Sequence, residues 1–560
     1  MRAIGIYYKD MKGLWAVFQK KQHSIGSAAF VLMVMVLASR VLGLVRDRML
    51  SARFSPDDLG VYFAAFRLPN LLFELLVMGA FTSAFIPVFT KYIAKNREDD
   101  AYRMAATLIN VCLVILLALM VPLFVWTGEI SRFLAPGFTP QQIDQMIVFT
   151  RIMMISQVLP LLVGNFFTGI LQSYNLFLVP ALAPVVYNVG IIAGILLLTP
   201  AMGLYAPVVG VGIGAILFLA IQIPLIAAAG YRHRLIADIH QKGVQEVAAL
   251  IGPRTLGLAV SQIDTTVDLI LATLLGARMV TIFNFAQHLQ QLPVGLFGTT
   301  IAQAALPMLS LASVKEDAES FKKSLLSAMH QILFFVLPVS VLFIVLRIPI
   351  VRLVFGASRF DWAATVTTGM TLSAFSISLF AQSLIHVLAR GFYALYDTKT
   401  PVVIGIIAIT VNTVLSIIFV QVYKLPVWSL GLSTSIASFV NAGMLLVFLD
   451  RRLHGFSRKE LLLPPVQMLV AALVAGVIIY IPLKLLDQLV FDTTRTFGLL
   501  LLTGSSGLLG LSTYFFIAWV LGVGEVHSFI RLLKKVRRSG TVLLTPASEV
   551  VNGGVQDKLS

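Results

Sequence analysis

Cysteine is almost missing from this chain: Cys112 is the sole example in 560 residues. That excludes an internal disulfide and any metal cluster built on several thiolates. Charge is scarce too, at 12 % of residues, where an ordinary soluble domain carries about 25 %. No Walker-type glycine loop occurs, nor HExxH, GxSxG or CxxC. Nucleotide hydrolysis through such a loop and the chemistry of those hydrolases drop out, and no enzyme activity is expected. No small-residue cleavage site follows the basic N-terminal stretch, so a cleaved signal peptide is not expected either.

What remains is 58 % hydrophobic residues and a mean hydropathy of +0.91. Apolar runs of about twenty residues recur without strand alternation, which points to helical membrane spans. Fourteen are read, at roughly 24–50, 58–90, 102–126, 144–170, 177–198, 203–229, 245–275, 280–311, 323–346, 362–389, 400–423, 428–450, 463–483 and 497–522. The fold class is therefore all-α and integral to a membrane. Residues 1–23, with Lys9, Lys12, Lys20 and Lys21 around Trp15 and Phe18, read as an interfacial amphipathic segment. Residues 523–560 form a basic tail, and its end, 540–560, is polar enough to be disordered.

The net charge of +16 does not call for nucleic acid. With the spans alternating, 28 of the 42 lysines and arginines fall on the N-terminal side and 9 on the other. Such a bias places both termini in the cytoplasm.

The chain repeats itself. Phe63-Ala-Ala-Phe-Arg-Leu-Pro-Asn-Leu-Leu returns as Phe283-Asn-Phe-Ala-Gln-His-Leu-Gln-Gln-Leu, and Gly169-Ile-Leu-Gln-Ser-Tyr174 returns as Gly391-Phe-Tyr-Ala-Leu-Tyr396 at almost the same offset. Two parallel six-span halves follow, 24–229 and 230–450, with two further spans in 451–522. That is the plan of a transporter.

Charges inside spans mark the candidate site, because a charge at the bilayer centre costs about 3 kcal/mol or more. Arg40, Arg46, Asp47 and Arg48 crowd the first span, and Arg67 and Glu74 the second. Guanidinium grips phosphate through parallel hydrogen bonds and keeps its charge. A water-filled cavity that meets an anionic headgroup explains them, with interfacial anchoring as the bland alternative. Pro69, beside Asn70, removes a backbone donor and breaks the helix. In the seventh span Asp264 and Asp268 share one helix face, and a cation or proton site competes there with ordinary hydrogen bonding. Gly391 and Pro401 bound a tight turn in which Asp397 can cap the next helix.

Ser39-Arg40-Val41-Leu42-Gly43 with Arg46-Asp47, Phe66-Arg67-Leu68-Pro69-Asn70-Leu71-Leu72, and Gly79-Ala80-Phe81 with Ala84-Phe85-Ile86-Pro87 resemble the bacterial MurJ/MviN family. Leu134-Ala135-Pro136-Gly137-Phe138 and Gly391-Phe392-Tyr393 through Pro401 resemble its later signatures. The resemblance covers about 24–522. It implies a flippase of the MOP superfamily that moves lipid II, the undecaprenyl-pyrophosphate-linked peptidoglycan precursor, to the outer leaflet of the bacterial inner membrane. Alternating access of two lobes and a lipid-tail groove at the last two spans come with it.

Arg40 and Arg46 match the family's cavity arginines, and Arg67 joins them as a candidate headgroup contact. Asp47, Pro69, Asn70, Gly79 and Gly391 take structural or gating roles. Asp268, Asp397 and Thr413 resemble sodium ligands of some members. The chain departs from the family at Phe73 and His288, where arginines are common. The expected partners are lipid II or a similar polyprenyl-pyrophosphate glycolipid and the surrounding lipids. The chain is expected to act as a monomer without a bound cofactor, coupled to Na+, H+ or the membrane potential. A flippase for another polyprenyl-linked glycan, a cation-coupled drug antiporter and a non-transporting scaffold remain as alternatives.

Overall fold

The computed structural model describes the backbone of residues 25–75, 81–489, 496–527 and 529–530, and their side chains except at 25–33, 81–83, 251–261 and 486–489. The N-terminal segment 1–23, Gly79 and most of the basic tail lie outside the described residues. Among the described residues all regular structure is helical.

Among the described residues ten helices are long and apolar enough to cross a membrane, and a pair bent by 42° at a break, Trp362–Ser376 and Leu379–Ala394, makes eleven. The fourteen runs read from the sequence are not all reached. The three outside the count are 24–50, 58–90 and 245–275. The first two carry the charges that lower hydropathy, and all three run through residues whose side chains or backbone are not described. Large apolar side chains stand exposed along the spans, among them Val121, Leu197 and Val477. Water would penalise such a surface, whereas lipid tails do not.

The internal repeat is visible in the elements themselves. Glu98–Val125 and Ala318–Val345 are each 28 residues long. Their starts are separated by the same offset as Phe63 and Phe283. The turn before each has a left-handed residue at the equivalent place, Asn96 at φ 55° and Glu316 at φ 56°. Each turn closes alike, with Arg97 N–H on the Tyr92 carbonyl and Asp317 N–H on that of Ala312. The short helices that follow the pair, Thr127–Leu134 and Arg347–Phe355, begin at that offset as well.

The chain divides into two compact units: Met1–Leu292 with Ile350–Phe375 and Gly405–Ala437, and Pro293–Pro349 with Ser376–Ile404 and Ser438–Ser560. The first is cored by Phe85, Phe89, Phe166, Met104 and their neighbours. The second has one cluster around Phe321, Leu325 and Phe392, and another where Arg458–Leu489 and Thr496–Val520 pack on Ala318–Val345.

Candidate functional site

The site is built on the helix Ile25–Arg53, in the first unit. Arg46 and Asp47 are neighbours in sequence and grip each other: Nε and Nη2 donate to Asp47 Oδ1 at 3.0 and 2.8 Å. Asp47 is 1 % exposed. A buried carboxylate needs compensation, and two partners supply it. The second is His288, whose Nδ1 lies 2.7 Å from Asp47 Oδ2. Its ring stands edge-on to that of Phe63.

Asn188 holds the other side of Arg46, accepting from Nη1 on its Oδ1 at 3.3 Å. Its own Nδ2 donates to Ser39 Oγ and to the Pro184 carbonyl. The helix Leu178–Met202 that carries Asn188 is held tightly against Tyr205–Ala220. A Cβ at Gly190 or Gly194 would run into the backbone of Gly214 or Gly210. The close approach sets the register that presents Asn188 to the first helix. Among the described residues, three of the five guanidinium N–H groups of Arg46 are thus committed, and two are left for a ligand oxygen. Arg40, six residues earlier, is exposed. It lies about 9 Å along the helix axis from Arg46.

Arg48 and Arg67 are spent on partners elsewhere in this unit. Arg48 Nη1 donates to the Leu353 carbonyl at 2.5 Å. Arg67, which the sequence groups with the headgroup contacts, is buried at 8 % exposure. It donates to the Gln262 carbonyl at 2.6 Å and to Thr266 Oγ1 at 2.7 Å. Glu74 accepts from Gln262 Nε2 on the same helix, Lys242–Leu274. Arg67 ties the second span to the seventh. Sequence periodicity carries no sign of that partner.

Pro69 and Asn70 sit where the second span breaks between Pro56–Ala65 and Arg67–Phe73. Proline at 69 leaves the Ala65 carbonyl without its helical donor. Thr150 Oγ1 fills the place at 3.2 Å. Asn70 Oδ1 accepts from Gln157 Nε2.

One end of the site is fastened within this unit. Thr281 Oγ1 donates to the Pro56 carbonyl at 2.6 Å, and Ser358 Oγ to that of Ala52 at 2.9 Å. A Cβ at Gly60 would collide with the Ala277 carbonyl. Arg278 pairs with Asp361. That hydrogen bond, with the Ala364 N–H, holds the Asp361 carboxyl below the usual range.

Asp264 and Asp268 converge on Asn412, whose Nδ2 donates to Asp264 Oδ1 at 2.9 Å and Asp268 Oδ1 at 3.4 Å. Asn412 is 2 % exposed, and its Oδ1 has no hydrogen-bond partner among the described residues. Thr413 follows it in the first unit, and Asp397 belongs to the second. Asp397 caps the helix Lys399–Ile417: it accepts from Thr400 N at 3.0 Å and Lys399 N at 3.1 Å, and pairs with Arg452. Gly391 is buried against Leu449 and Leu325. Sequence reading missed Asn188, although a lone amide in an apolar span is itself a signal.

Comparison with known proteins shows which family the chain resembles. The family model described as Lipid II flippase MurJ matches residues 57–496. A probable lipid II flippase MurJ of Vibrio cholerae serotype O1 is 30 % identical, over 89 % of this chain and 96 % of its own. One from Rhizobium tropici is 29 % identical, over 92 % and 97 %. A solved structure of lipid II flippase MurJ in an inward closed conformation has a TM-score of 0.73 at 25 % identity, covering 88 % of this chain and 98 % of that one. A multidrug resistance MATE transporter of the MOP superfamily, inward-facing, shares the fold at a TM-score of 0.62 and 14 % identity, over 74 % of this chain and 94 % of its own.

Proposed function

This chain belongs to the lipid II flippase MurJ family, and from that premise we propose that it carries lipid II across the bacterial inner membrane by alternating access, Arg46 and Arg40 meeting the pyrophosphate. It is a transporter and not an enzyme. The observation that carries this reading is the Arg46–Asp47 pair. A span keeps a guanidinium and a carboxylate only where both are compensated, and Arg46 still has two N–H groups to offer. Two parallel N–H groups fit two phosphate oxygens.

Cargo moves from the inner to the outer leaflet. The membrane potential helps return the empty, more positive carrier, at about 2.3 kcal/mol per charge per 100 mV. For the far leaflet to be reached, the fastened end has to part. Its ties are single hydrogen bonds and the ion pairs of Arg278 with Asp361 and Asp57, each worth about 1–3 kcal/mol, within reach of differential binding energy. The last two spans, 463–483 and 497–522, provide the groove for the lipid tail. The chain works as a monomer with both termini in the cytoplasm.

A coupling cation, Na+ or H+, is held by Asp264, Asp268 and Asn412. Amide oxygen and nitrogen exchange places by a half-turn of the side chain. Turned, Asn412 would set its oxygen beside two carboxylates, an oxygen-only set suited to a hard cation. Neither drug antiport nor a scaffold role is favoured by the family. The test is reconstitution: vesicles with the purified chain and lipid II on one leaflet should expose it on the other, and Arg46→Ala should not. Equal exposure by both would refute the role given to Arg46.

A further inference from the structure

Arg46 and Asp47 together carry no net charge, so an anionic headgroup meets a pair whose attraction is mostly cancelled. The third member of the cluster decides the balance, and it is an imidazole. A carboxylate only accepts hydrogen bonds. His288 Nδ1, 2.7 Å from Asp47 Oδ2, therefore carries its proton in both charge states of the ring. What changes with protonation is Nε2. In the neutral ring it is a bare lone pair, which repels a phosphate oxygen; in the imidazolium it is a donor with a full positive charge behind it. The His288 side chain is 34 % exposed while that of Asp47 is 2 % exposed, so solvent reaches the ring but not the carboxylate.

We infer that His288 takes up one proton from solvent on Nε2 as the pyrophosphate of the cargo binds, and releases it when the cargo leaves. The inference rests on the reading of the cargo as lipid II. An arginine here would be a permanent cation, and binding would then be indifferent to pH. With histidine, cargo and proton bind as a unit, and the cluster returns to zero net charge between cycles. Arg46, on the same helix as Asp47, is the other charge on that carboxylate, and it is faced in turn by Tyr62 on Pro56–Ala65 and Tyr187 on Leu178–Met202. Phenols keep their protons and guanidinium its charge from about pH 5 to 8, where imidazole changes charge. A pyrophosphate esterified at both ends has no further proton to lose in that window.

The experiment is lipid II binding to the full-length chain in nanodiscs between about pH 5 and 8, for wild type, His288→Arg and His288→Gln. Wild-type affinity should fall as pH rises, by up to about tenfold per unit through the window. His288→Arg should bind at least as tightly as wild type in acid and hold that affinity throughout. His288→Gln should bind weakly at every pH. The wild type alone gives a second measurement: in weak buffer, lipid II should draw up about one proton per molecule bound. A flat wild-type profile without proton uptake, or the same slope in His288→Gln, would overturn the inference while leaving the flippase reading intact. No lipid II bound by the wild type or either variant at any pH would overturn both.

Discussion

Thr150 Oγ1 hydrogen-bonds the Ala65 carbonyl at 3.2 Å, which is the acceptor that Pro69 leaves without a helical donor. The break in the second span is thus closed by a side chain from Pro140–Met153. Thr150→Val should leave that buried carbonyl unsatisfied and cost about 1–3 kcal/mol. Pro69→Ala restores an N–H to the helix. The double variant should therefore recover most of the loss, which a melting-temperature cycle of the four proteins measures.

The Arg46–Asp47 pair separates stability from transport. Arg46→Ala leaves a carboxylate 1 % exposed without its guanidinium, a loss of about 3–5 kcal/mol. Adding Asp47→Asn removes the stranded charge, and the protein should regain most of its stability without regaining transport. Restored flipping in that double variant would show that the guanidinium is dispensable.

Gly60 lies where a side chain would meet the Ala277 carbonyl. Gly60→Ala should push Pro56–Ala65 off the start of Ala277–Pro293, at about 1–3 kcal/mol. A cysteine placed at Ala277, which is 3 % exposed, should become reactive to a membrane-impermeant maleimide in the Gly60→Ala background. Unchanged protection would mean that this end is held from elsewhere.

Asp397 sets an acid limit outside the spans. Its carboxyl is held below the usual range first by the Thr400 N–H, then by the Thr400 hydroxyl and Arg452. A lowered folded-state value stabilises above the unfolded value, near about pH 4, and that stabilisation is lost as pH falls through the folded value. Asp397→Asn should lower the melting temperature near neutrality and flatten its further fall below about pH 4. Melting curves across that range check both slopes.

Local signals reached far into this fold. The repeat offset read from Phe63 and Phe283 reappears between two helices of equal length, Glu98–Val125 and Ala318–Val345, because homologous sequences place caps and turns alike. Asp397 caps the helix after Gly391 as an Asp before Lys-Thr-Pro should. What stayed hidden is partner choice across the unit. Arg67 reads as a cavity cation but spends its charge on Gln262 and Thr266, 195 and 199 residues away. Arg48 does the same on Leu353. No periodicity encodes which carbonyl a guanidinium finds.

The central claim is that Arg46 meets the headgroup of lipid II. It is tested most directly in cells depleted of their own flippase and supplied with this chain, by measuring lipid II exposed on the outer leaflet. Wild type should restore exposure, while Arg46→Ala, Arg40→Ala and the Arg46→Ala/Asp47→Asn double variant, inserted at equal level, should lose it. Restoration by the double variant to the wild-type level would contradict the claim.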